Sequence, residues 1–210
     1  MRLIKFNACF NVVMSTDQSG IIEVWDPETH ELPSDGLLKF ETISETDYFE
    51  LCQQQTFALA AEFTHDGARM AILCRDRKIR IFDFASGKLI KTYNSETLEQ
   101  IRAMQVNDSY TTLRLEQLDF DKRISVEQEI EKFWDLSNKV PEEINIQSCT
   151  YAAYMPTLAF DESDTYLCFG SPVGLKVLNT RTNTLSRLLG KLESTERFLQ
   201  LAIYQGKPVK

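Results

Sequence analysis

His30 and His65 are the only histidines in the chain. An imidazole base or metal ligand would have to be one of them. Both sit in turn-like surroundings, His65 inside Thr64-His65-Asp66-Gly67, and neither has a partner at ligand spacing. The five cysteines, Cys9, Cys52, Cys74, Cys149 and Cys168, are scattered and form no Cys-x-x-Cys pair. They read as buried, reduced thiols of a cytosolic or nuclear protein. No Gly-rich phosphate loop, Gly-x-Ser-x-Gly or His-Glu-x-x-His occurs. The chain holds 31 acidic side chains, and spacing singles out no catalytic carboxylate pair among them. The residues therefore predict no catalytic group, no cofactor and no metal.

Two clusters could touch a partner. Arg75, Arg77 and Lys78 make a small basic turn, where an RNA contact is conceivable and a solvated turn is the simpler reading. Phe133-Trp134 could anchor an interface, because aromatics dominate binding hot spots. Such a stripe more often packs on its own domain. The balance of the 210 residues limits what partner this is. Net charge is −8 and pI about 4.9, so general phosphate binding is not expected. Composition is 43% hydrophobic and 26% charged, which suits a globular core. No apolar run reaches the roughly eighteen residues of a transmembrane helix, and MRLIKFNACF lacks the core of a signal peptide.

The elements that would carry these residues repeat. Phe57 to Phe63 is apolar, Thr64 to Gly67 turns, Met70 to Leu73 is apolar, Arg75 to Lys78 turns and Ile79 to Phe82 alternates. Ser86-Gly87 turns again before Leu89 to Tyr93. This predicts four short strands in one antiparallel meander. A further copy runs from Thr157 to Leu189, with Pro172 in the turn that holds Asp17 and Asp76 elsewhere. The first copy runs from Leu3 through Asp17 and Trp25, and is expected to end with a strand at Leu38 to Glu41. Phe198 to Tyr204 is expected to open a fourth copy. The third strand of each unit ends Trp25-Asp26, Phe82-Asp83 or Leu178-Asn179. Such units resemble WD40 repeats, the blades of a β-propeller. Asp17, Trp25, Asp76, Phe82 and Leu178 are accordingly read as structural repeat positions. One sheet cannot bury both faces alone, so copies stack.

The segment from Ser95 to about Cys149 does not repeat. Ser95 is a candidate helix N-cap. Further on, Val126, Ile130, Phe133 and Trp134 fall on one helical stripe, with Glu127, Glu129 and Glu131 mostly off it. Ser95 to Glu143 holds twelve acidic and six basic side chains, a net of −6. It reads either as an arm for basic partners or as a helical layer with solvated charge. The expected organisation is 1–94 as two blades, 95–149 as the acidic helical insertion, and 150–210 as a third blade plus a starting strand. The fold class expected is all-β.

DRKIRIF, ISVEQEIEK and GLKVLNTRTN, in that order, resemble the WD-repeat-containing cyclophilin-type peptidyl-prolyl isomerases, a family associated with the spliceosome. The resemblance covers nearly the whole chain and lies in the propeller of that family. It implies a nuclear, non-catalytic scaffold segment in pre-mRNA splicing, with splicing proteins as partners and no small-molecule substrate. The alternative it implies is the propeller part of an active isomerase whose cyclophilin domain lies elsewhere. Because so few blades cannot close a ring, the chain is expected to be an excerpt of a longer protein or to self-associate.

Overall fold

Apolar and β-branched runs, cut by Asp-, Asn- and Gly-bearing turns, dictate short antiparallel strands. The computed structural model describes residues 2–33, 38, 40, 42–94, 115–136, 156–191, 193, 196–198 and 200–206. Among these, eleven strands form three antiparallel sheets, with neighbours in sequence adjacent in space. The chain divides into two compact units, Met1–Ser95 and Glu96–Lys210.

The first unit holds two sheets. One consists of β1 (Leu3–Asn7), β2 (Val12–Thr16) and β3 (Ile22–Trp25). The other consists of β4 (Ala58–Phe63), β5 (Arg69–Cys74), β6 (Lys78–Asp83) and β7 (Leu89–Asn94). A single 3-10 turn at Ile43–Glu45 and a one-turn helix α1 (Glu50–Gln53) lie between them. Both sheets contribute to one core of Val12, Met14, Val24, Leu51, Met70, Ile72, Phe82 and Phe84. Burying such side chains stabilises by about 1.5–3 kcal/mol each. Polar bonds pin the sheets together. The Asn7 side-chain amide donates to the Gly67 carbonyl at 2.9 Å, and Lys5 pairs with Glu62 at 2.7 Å.

The repeat in the sequence is a repeat of turn chemistry. Asp26 Oδ1 accepts the N–H groups of Glu28 and Thr29, and Asn179 Oδ1 accepts those of Arg181 and Thr182. Asp83 Oδ1 accepts the Ser86 N–H. Four residues after each, the backbone turns to positive φ: His30 at 58°, Gly87 at 63° and Asn183 at 59°. A side-chain carbonyl or carboxylate two or three residues before an N–H closes this kind of turn.

Among the described residues the first sheet has three strands, and half of the predicted closing strand, Lys39 and Glu41, lies outside them. The turn at Asp26 forms, but among the described residues no strand follows it into the sheet. Leu32 and Pro33 come next, and Pro33 has no N–H to give to a ladder. Leu38, expected in the closing strand, is in a turn at φ 62°.

The second unit packs helix α2 (Gln117–Leu136) on a sheet of β8 (Leu158–Phe160), β9 (Tyr166–Ser171), β10 (Gly174–Asn179) and β11 (Thr184–Leu189). Phe120 and Ile124 of the helix meet Val173 and Leu188. The predicted helical stripe needs correcting. Val126 is 37% exposed, whereas Phe120, Arg123, Ile124, Glu127 and Ile130 are buried. The face was misjudged because two charged residues lie on it, each with a partner remote in sequence. The predicted opening strand of a fourth unit is also absent. Among the described residues, 198 and 200–206 form no strand. They lie beside β8, the Leu201 N–H donating to Thr157 Oγ1 and the Gln205 side-chain amide to the Phe160 carbonyl. The Ser95 cap lies outside the described residues.

Candidate functional site

The outer edge of β3 borders a groove. β3 pairs with β2 on one side, and among the described residues no strand joins its other side. Along that edge lies a cavity of about 400 Å³. All four β3 residues line it, with His30, Glu31 and Leu32 from the turn and Leu38, Phe40, Thr46, Tyr48 and Phe49 from the connection to the second sheet.

The polar ends of its aromatics are already committed. The Trp25 indole N–H donates to Ser15 Oγ at 3.2 Å, and the Tyr48 hydroxyl donates to the Phe84 carbonyl at 2.8 Å. Burial holds the Tyr48 phenol protonated, far above its ordinary range. Tyr48 is itself buried against Phe40 and Phe82, so the partly exposed rings of Trp25, Phe40 and Phe49 are what the cavity offers a guest. Phe40 stands edge-on to Tyr48, and the His30 ring lies 6.1 Å from Trp25. Such a wall suits an apolar group better than a polar one. At the rim, Glu23 and Glu31 are exposed, and among the described residues neither has an ion-pair partner and no Lys or Arg lines the cavity.

The residues singled out from sequence fall in different places. Asp17 Oδ1 accepts the N–H groups of Ser19 and Ile21, closing the β2–β3 turn. Asp76 takes both Arg80 terminal nitrogens, at 3.1 and 2.8 Å, and the Lys78 N–H. Arg80 is fully buried, and although burial opposes its charge, Asp76 outweighs it and holds the guanidinium above its ordinary pKa. Phe82 and Leu178 are buried. Trp25 is half-buried in the groove. The solvated basic turn is corrected: Arg77 is buried at φ 60°, Arg75 half-buried. Phe133 and Trp134 belong to α2, and their side chains lie outside the described residues. His65 sits in the β4–β5 turn, where its carbonyl accepts the Cys9 thiol, and does not line the groove.

The thiols are also corrected. Cys74 and Cys168 are buried, but Cys9 and Cys52 are exposed. Burial pushes the Cys74 thiol up to about 12, so it is no nucleophile at neutral pH. Among the described residues no three His, Cys, Asp or Glu side chains cluster as metal ligands, and no helix is long and apolar enough to cross a membrane. Sequence reasoning missed Phe40, Tyr48 and Phe49 as groove residues. They follow no strand or helix period, and only their density between Phe40 and Phe49 marked them.

The fold and groove define an antiparallel β protein of repeated meanders with an aromatic cleft along one sheet edge. No protein-family profile matches the chain. Its sequence relatives are named as peptidyl-prolyl isomerases, and the matches cover nearly the whole of this chain. It is 37% identical over 206 residues to peptidyl-prolyl cis-trans isomerase CYP71 of Arabidopsis thaliana, covering 98% of this chain and 30% of that protein. It is 36% identical over 213 residues to peptidyl-prolyl cis-trans isomerase cyp15 of Rhizopus delemar, covering 100% of this chain and 30% of that protein. The human peptidylprolyl isomerase domain and WD repeat-containing protein 1 is 31% identical over 203 residues, covering 97% of this chain and 28% of that protein. The chain thus spans about a third of the length of the curated relatives it matches. These matches overturn two expectations. Relatives named for an isomerase activity do not support a non-catalytic splicing scaffold, nor the description of the chain as no enzyme. They favour the alternative, a part of a prolyl isomerase.

Proposed function

We propose that the chain is part of an active peptidyl-prolyl cis-trans isomerase. The observation that carries this is the match along 97–100% of its length to proteins named for that activity. The reaction breaks no covalent bond. It must lower a rotation barrier of about 18–20 kcal/mol, which resonance in the amide creates. An enzyme does so by holding the twisted amide, in which that resonance is lost, better than the planar one. An apolar cradle and a well-placed donor suffice, so nucleophile, metal and redox group are not required.

Within that polypeptide we read the three meanders as propeller blades of the WD-repeat kind. Supporting this are the consecutive strand order in each sheet and the Asp26, Asp83 and Asn179 turns, which recur at the end of each third strand. The human relative's name joins an isomerase domain to WD repeats in one protein. The test is isomerisation of a proline-containing tetrapeptide, followed with the 210-residue chain and with the full-length protein that contains it. Acceleration by the full-length protein is expected, and the chain alone reports how much of it these residues carry. Failure of both to exceed a heat-inactivated control would sink the proposal.

A further inference from the structure

Two glycines of the second unit stand against one dipeptide. Gly190, just past β11, is at φ 72°, and a Cβ there would lie 2.1 Å from the Phe198 ring. Gly170, in β9, lacks the positive φ that calls for glycine. A Cβ there would nevertheless lie 2.6 Å from the Phe198 carbonyl oxygen and 3.1 Å from Arg197 Nη1. Its missing side chain makes room for Arg197 and Phe198, since the strand itself does not need glycine there.

Helix α2 supplies a third wall. Glu127 is fully buried, and its two carboxylate oxygens accept N–H groups from Arg197, from Nε at 2.5 Å and from Nη2 at 3.3 Å. Arg197 Nη1 donates to the Phe198 carbonyl at 2.6 Å, which ties the dipeptide to itself. Arg123 holds the chain that leaves β11, donating to the Gly190, Lys191 and Glu193 carbonyls. A buried carboxylate that takes a guanidinium fork and a glycine face that takes a ring select arginine followed by an aromatic residue. The rest of the segment is held differently. Among the described residues, 198 and 200–206 form no strand. Their bonds to the sheet run through side chains: the Leu201 N–H donates to Thr157 Oγ1, the Gln205 amide to the Phe160 carbonyl, and the Glu162 N–H to Gln205 Oε1.

We infer that Glu127, Gly170 and Gly190 form a recognition site for an extended peptide carrying Arg followed by an aromatic residue. Residues 196–206 are a strap that fills the site from within the same chain, and a segment of the same chemistry on another polypeptide displaces it. As an intramolecular ligand, the strap competes at an effective concentration on the order of millimolar. The site goes beyond the isomerase reading and does not depend on it, since it is tested by binding and not by turnover.

The experiment uses the 210-residue chain, its R197A/F198A double variant and a fluorescein-labelled peptide with the sequence of residues 196–206. Fluorescence anisotropy measures binding. The peptide is expected to saturate the double variant and to bind the wild-type chain about tenfold or more weakly. Peptides carrying Arg197→Lys or Phe198→Ala should each lose about tenfold on the double variant. Lys keeps the charge but cannot span both carboxylate oxygens and a carbonyl. If the double variant is unfolded by itself, the peptide should raise its urea midpoint, because a ligand of the folded state stabilises that state. Adding Gly170→Ala to the double variant should abolish binding, since the strand accepts the methyl group and the site does not. Neither binding nor stabilisation by the parent peptide overturns the proposal. Equal binding of the three peptides, indifference to Gly170→Ala, or equal binding to the wild-type chain overturns it as well.

Discussion

Asp17, Asp26, Asp83 and Asn179 do one job: a side-chain oxygen accepts backbone N–H groups that a short turn would leave unpaired. Gly20 sits in the first of these turns at φ 81°, where a Cβ would lie 2.3 Å from the Thr56 carbonyl oxygen and 2.9 Å from the Cys52 nitrogen. Backbone cannot yield there as a flexible side chain could. Gly20→Ala should therefore destabilise the protein by about 1–3 kcal/mol or more, visible as a lower urea midpoint at unchanged slope. Wild-type stability would remove the argument for a close approach. These positions were legible because the interactions reach only two to four residues along the chain. Arg77 and Cys52 were not, since burial is set by what the rest of the chain places over a residue. The polar turn around Arg77 gave no local sign that its side chain would be enclosed.

Helix α2 illustrates how an element's buried face is chosen. Glu127 is fully buried and receives Arg197 Nε at 2.5 Å and Nη2 at 3.3 Å. Arg123 donates to the carbonyls of Pro172, Gly190, Lys191 and Glu193, closing the ends of turns in the sheet beneath it. Removing one member of a buried pair strands the other charge, at a cost of about 3–5 kcal/mol. Glu127→Leu and Arg197→Met alone should each be strongly destabilising. The double substitution should recover most of the loss, and a double-mutant cycle measured by denaturant unfolding checks this. Additive losses would mean that the two side chains do not act as a pair. The helix itself was readable from its composition and period. Its face was not, because Glu127 meets a residue 70 positions away.

Acid should expose the carboxylate turns across the whole molecule. Hydrogen bonds from the Thr29 and Glu28 amides hold Asp26 below its ordinary 3.8, and the Thr64 hydroxyl does the same for Asp66. At Asp161 burial pushes upward, but the Ser163 hydroxyl and the Tyr166 and Ser163 amides outweigh it. Each group has a lower pKa folded than unfolded. Its contribution is complete above the unfolded value and is lost as pH falls through the folded one. Urea stability is expected to be level near neutrality and to drop below about pH 4. Asn at positions 26, 66 and 161 together should flatten that drop. An equally steep decline in the triple variant would place the acid sensitivity elsewhere.

The sequence by itself determined most of the strands, their antiparallel order and the repeated turns, because each rests on period-two alternation and on contacts a few residues long. It also carried the kinship with prolyl isomerases, through ordered phrases spread over the chain. Tertiary structure alone decided that a helix buries Arg123 and Glu127. It also decided that Trp25, Phe40, Tyr48 and Phe49 share one cavity. Each of these depends on which distant segment comes to lie against a given face. A residue's own neighbours in sequence do not specify that, since a cavity and a buried charge are defined only by what stands beside them.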